Sequence, residues 1–149
     1  MVGGMAAQAG TVFIQRGAHA ASGVADQMAR NLTDKKNVVF FPEGTSTSGA
    51  TVRNFHPRLY QAAIHAQTMV QAVAISYPHP AGVNPVAPYI NDDNLLHHLW
   101  VLLKEPSIDV SLTFCPPVPA ESGRRALAVD TRSQILSALE KSPEYLGNN

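Results

Sequence analysis

The chain has 149 residues, 45% of them hydrophobic and only 15% charged, and its 11 basic and 11 acidic side chains leave no net charge. That length suits one domain whose core covers roughly two-thirds of the unfolded surface, and the balanced charge excludes nucleic-acid binding driven by long-range electrostatics. A single cysteine, Cys115, excludes an intrachain disulfide; no basic start leads into an apolar run, so no signal peptide is expected; and no apolar run reaches the ~20 residues that cross a bilayer, so membrane contact is expected from the surface.

Residues 1–10 are mostly small. Thr11–Gln15 is a β-branched and aromatic run between Gly10 and Gly17; it reads as a strand and sets Arg16 at its carboxyl end. Ser22 is placed to cap a helix running to about Leu32, with Val24, Met28 and Leu32 recurring on one face. Val38–Phe41 reads as a buried strand that stops at Pro42 and opens into the polar loop Glu43-Gly44-Thr45-Ser46. Such an ending sets a carboxylate, a flexible backbone and hydroxyl donors at the carboxyl edge of a sheet, where open α/β folds bind ligands. The plain alternative is a turn stabilised by its own side chains.

Pro57 suits the first turn of a helix in which Leu59, Ala62, Ala63 and Ala66 form a narrow apolar stripe. Met69–Tyr77 reads as a third strand, apolar on both faces, and Pro78–Pro88, with four prolines, as an irregular connector. Asn94 is placed to cap a helix over Leu95–Lys104 whose apolar residues surround almost the whole circumference, a pattern that fits deep burial or a membrane-facing position. In Ser107–Phe114 the apolar Ile108, Val110, Leu112 and Phe114 alternate with polar residues, which predicts a half-exposed strand near a sheet edge. A helix over about Gly123–Lys141 closes the chain, with Leu127, Ile135, Ala138 and Leu139 on its inner side. Strands alternating with helices predict a single α/β domain with a largely parallel or mixed central sheet flanked by helices.

Three stretches carry a resemblance. FPEGTS, with Gly49, Val52 and Phe55 downstream, resembles the third signature block of the glycerolipid acyltransferases, the lysophosphatidic acid acyltransferase family. GTVFIQRG is similar to that family's second block, and Val70-Gln71-Ala72-Val73-Ala74-Ile75 to the strand of its fourth. The likeness runs from about Val2 to Leu139. It implies acyl transfer from an acyl thioester, acyl-CoA or acyl carrier protein, to a lysophospholipid or glycerol-phosphate hydroxyl, with no further cofactor. It also implies a cytoplasmic enzyme peripheral to the membrane.

In the family the arginine of the second block contacts the acceptor's phosphate, so the resemblance makes Arg16 a phosphate-binding residue, a role that suits a guanidinium fork. By the same likeness Glu43, Gly44, Thr45 and Ser46 form the acceptor loop: Gly44 lets backbone amides approach, the hydroxyls donate, and Glu43 orients a base or accepts loop amides. Many family members carry an arginine where Ser46 stands, which bears on acceptor preference.

The family's first block, a histidine followed after four residues by an aspartate, supplies a general base and the carboxylate that orients it. None of the six histidines here has an aspartate five positions on: His19, His56, His65, His79, His97 and His98 are followed there by Val24, Gln61, Val70, Asn84, Leu102 and Leu103. The family dyad lies upstream of the second block, so the expectation is an acyltransferase domain lacking its amino-terminal part, inactive on its own and prone to self-association through an uncovered sheet edge. The alternative is a non-catalytic phospholipid-binding or vestigial module.

Overall fold

The structure is a computed structural model that describes residues 20–80, 82–90 and 94–141. Thr11–Gln15 and Arg16 lie outside the described residues. Contacts divide the chain into two compact units, the first made of residues 1–42, 56–70 and 118–128, the second of 43–55, 71–117 and 129–149.

The first unit is organised by helix α1, Ala20–Thr33. Ser22, read as its cap, lies inside it, after Ala20 and Ala21, which are strong helix formers. Its end is a paired closure: Lys36 N–H donates to the Asn31 carbonyl (2.9 Å) and Lys35 N–H to that of Leu32 (3.0 Å), with Lys35 in the left-handed region at φ 60°. A single turn of tighter helix, Pro57–Tyr60, leads into α2, Gln61–His65. Gln67, at φ 47°, closes α2 in the same manner through Thr68 N–H to the Ala63 carbonyl (3.1 Å).

Val24, Met28 and Ala62 are buried together, and Ala29, Leu32, Val38, Phe40 and Leu59 pack against them. Phe40 meets Tyr60 edge to face, with ring centroids 5.1 Å apart, a geometry that adds to plain burial. Val38–Phe41 is therefore not the buried strand that the sequence predicts: no strand forms over it, and only one side is covered. Val38 and Phe40 face the helix, whereas Val39 is 83% and Phe41 72% exposed. No ladder partner is found for it among the described residues. Period-two alternation on a lone extended segment gives one covered face and one open face.

The sheets among the described residues are three antiparallel pairs. In the first unit β1, Met69–Val70, pairs with β6, Val118–Pro119. In the second unit β2, Val73–Ser76, pairs with β5, Ser111–Phe114, and β3, Pro78–His79, makes a small hairpin with β4, Gly82–Val83. A largely parallel central sheet is not found among them. The predicted strand Met69–Tyr77 is broken at Gln71-Ala72, where Cys115 N–H donates to the Ala72 carbonyl (2.9 Å) and Gln71 Nε2 donates to the Cys115 carbonyl (3.1 Å).

The predicted strand is shorter at one end only: β5 stops at Phe114, before Pro116, as expected, but begins at Ser111 rather than Ser107. The register sets Val73 opposite Phe114 and Ile75 opposite Leu112, so these apolar side chains share one face. That face is open: Ile75, Leu112 and Phe114 are exposed, while Ala74 is buried on the other side of the pair. The closing helix α4, Arg124–Glu140, buries Leu127, Ala128 and Thr131 in its first half and Leu139 near its end.

Candidate functional site

The FPEGTS loop lies in the second unit from Glu43 onward, and its shape follows from where its own polar groups go. Gly44 adopts φ 69° and Gly49 φ 83°, left-handed values that a side chain disfavours, and these two residues let the chain turn twice within a few positions. The hydroxyls between them serve the loop itself. Thr47 Oγ1 accepts from Gly49 N–H (3.3 Å), Ser48 Oγ from Ala50 N–H (3.5 Å), and Thr45 Oγ1 donates to the Ser46 carbonyl (3.5 Å). These are short-range bonds of the kind that Ser and Thr make in turns.

Glu43 closes the loop. Its Oε2 accepts from the Arg53 N–H at 2.9 Å, ten residues along the chain. From the other direction Arg132 of α4 grips the same segment, Nε donating to the Arg53 carbonyl (2.9 Å) and Nη2 to the Val52 carbonyl (2.7 Å). The Arg53 peptide thus has its N–H held by a carboxylate and its C=O by a guanidinium, and both are charge-assisted bonds stronger than neutral ones. Val52 and Phe55 are buried on either side of this clamp. The loop is thus pinned at its base and carries small hydroxyl residues at its tip.

The predicted site residues part company here. Gly44, Thr45 and Ser46 are exposed at the tip. Glu43 is half-buried, and its bond to Arg53 fits the reading in which it accepts a loop amide. Arg16 lies outside the described residues, so its position relative to the loop is not defined by them. Arg132 went unnoticed in the sequence, because it stands 79 residues beyond Arg53 on a helix with no motif around it. Only the fold brings the two together.

Among the described histidines, His56 donates its backbone N–H to the Pro42 carbonyl (2.9 Å), and the His98 ring meets Tyr89 at a tilt of 60° with centroids 5.3 Å apart. Cys115 is a buried free thiol. Among the described residues, no group of three His, Cys, Asp or Glu side chains is placed to hold a metal ion, and no helix is long and apolar enough to cross a membrane.

Comparison with known proteins fits this loop. The chain is 39% identical over 140 residues to the lyso-ornithine lipid O-acyltransferase of Pseudomonas aeruginosa, an alignment covering 93% of this chain and 54% of that protein. It is 30% identical over 141 residues to the 1-acyl-sn-glycerol-3-phosphate acyltransferase of Neisseria gonorrhoeae, covering 93% and 55%. With the lyso-ornithine lipid O-acyltransferase of Brucella abortus the identity is 30% over 148 residues, covering 89% and 55%. The chain spans about half the length of the curated relatives it matches. No solved structure gives a significant match. The sequence model of the family described as Acyltransferase matches residues 1–76, a stretch that includes the whole FPEGTS loop, and the chain belongs to that family.

Proposed function

We propose that this chain carries the acceptor-binding side of an acyltransferase that esterifies a lysolipid. In the reaction the acceptor's free hydroxyl adds to the carbonyl carbon of an acyl thioester, from acyl-CoA or acyl carrier protein. The C–S bond breaks, the ester C–O bond forms, and the thiol leaves with the hydroxyl's proton. Arg16 and the donors of Gly44, Thr45 and Ser46 hold the acceptor's polar head, and Glu43 keeps the loop in the shape that presents them. The observation that carries the reading is the loop itself: a family signature folded into a clamped turn with its hydroxyl tip exposed to solvent.

The same reading implies a single acyltransferase domain, cytoplasmic and peripheral to the membrane, needing no cofactor beyond its thioester donor. It also implies a largely parallel or mixed sheet, and self-association through an exposed sheet edge. No histidine of the chain has an aspartate five residues on, so turnover by this chain alone is not expected. A second acceptor is favoured by one observation: Ser46 offers a neutral donor where many members carry a cation, which fits the higher identity to a lyso-ornithine lipid O-acyltransferase.

Calorimetric titration with lysophosphatidate and with lyso-ornithine lipid, each below its critical micelle concentration, tests the reading. Binding of one of them that falls about tenfold or more in Arg16→Ala, as expected for loss of a charge-assisted contact, supports it. Absence of binding to both sinks it and leaves the vestigial module.

A further inference from the structure

The clamp at the base of the FPEGTS loop uses only main-chain atoms of Arg53: its N–H donates to Glu43 Oε2 and its carbonyl accepts from Arg132 Nε, both at 2.9 Å. Its guanidinium is left over. That side chain is exposed, and among the described residues no ion pair or hydrogen bond engages it. Bonds on both sides of the Arg53 Cα hold the backbone in place, so only side-chain rotamers remain to be ordered when an anion arrives, which lowers the entropy cost of binding. The Glu43 bond also sets Arg53 where the exposed tip begins, because Gly44 follows Glu43 directly.

We propose that the Arg53 side chain contacts the anionic group of the acceptor's head, with Glu43 and Arg132 as the residues that position it. Charge at the clamp favours an anion. Arg132 brings a second guanidinium to the same segment, its Nη2 2.7 Å from the Val52 carbonyl, whereas Glu43 is the one carboxylate bonded to it. Two cations against one anion leave the base of the loop positive. Asp130 is two residues from Arg132 on α4, about 200° around the helix, and so belongs to another face. Along the sequence no Asp or Glu stands between Glu43 and Asp92, which precedes helix α3, Leu95–Leu102. A planar guanidinium pairs with a phosphate or a carboxylate through two parallel bonds, which gives orientation as well as attraction. The proposal deepens the lysolipid reading and rests on it for the identity of the anion.

Because the clamp needs only the backbone of residue 53, Arg53→Ala and Arg53→Gln remove the cation and leave all three clamp bonds possible. Far-UV spectra and protease resistance between Glu43 and residue 53 are expected to match the parent. Calorimetric titration then compares lysophosphatidate and lyso-ornithine lipid, whose heads carry a phosphate and a carboxylate, with a monoacylglycerol of the same acyl chain, which carries neither. Affinity for the charged lysolipid that the parent binds is expected to fall about tenfold or more in both variants. It is expected to recover in part in Arg53→Lys, which restores the charge without the planar fork, while monoacylglycerol binding stays as in the parent. Unchanged affinity for the charged lysolipid in both variants overturns the proposal, and so does an equal loss for monoacylglycerol, which assigns residue 53 a structural role. Binding weakened by Arg16→Ala but by neither Arg53 variant sinks this proposal alone. A parent chain that binds neither charged lysolipid sinks it together with the functional reading.

Discussion

Helices α1 and α3 make opposite use of apolar residues. In α1 a stripe of Val24, Met28 and Leu32, separated by charged and polar positions, packs with Ala62, Val38 and Phe40 into the centre of the first unit. In α3 nearly every side chain is apolar and none is buried. Burial follows from a face that another element can cover, not from the amount of apolar surface. An apolar excess with no facing element stays on the surface, where it must meet solvent, lipid or another protein.

Substitutions sharpen this contrast. The largest effect is expected for Met28→Ala, which removes side-chain contacts at the centre of the first unit and should lower unfolding free energy by about 2–4 kcal/mol in denaturant titration; a change within about 0.5 kcal/mol would place Met28 among ordinary surface positions and erase the difference between the helices. Next is Arg132→Ala, which strips two charge-assisted bonds from the base of the loop. A loss of about 1–2 kcal/mol is expected, with limited proteolysis appearing first between Glu43 and Arg53; unchanged cleavage there would show the clamp to be idle. On α3, Asn94→Ala should cost about 1 kcal/mol by removing the helix cap, whereas Leu96→Ser on its open face should stay within about 0.5 kcal/mol of the parent. If the serine variant is the more destabilised of the two, the outward Leu face is packed after all.

Much of the local structure was legible in the sequence because it depends on neighbours. Asn94 caps α3 as read, and Leu127 and Leu139 lie on the inner side of α4. What depends on distant partners was not legible. Val38–Phe41 looks like any apolar strand, and nothing in those residues says that Val39 and Phe41 would lie open. The strict alternation of Ile108 to Phe114 foretold two unlike faces but not which would be covered, and the apolar one is exposed. Parallel pairing was inferred from the order of elements, whereas the pairs among the described residues are antiparallel. At the loop, the motif pointed to Glu43 to Ser46, but only the fold separates a glutamate that shapes the turn from the residues at its tip, and only the fold adds Arg132.

Cys115 has one more consequence. It is the chain's single thiol, buried where its N–H and carbonyl tie β5 to the Gln71-Ala72 break. A reagent in solution can reach that sulfur only when this seam parts. The second unit thus carries an internal clock of its own opening, set by the pairing that holds β2 to β5 and wound without any added label.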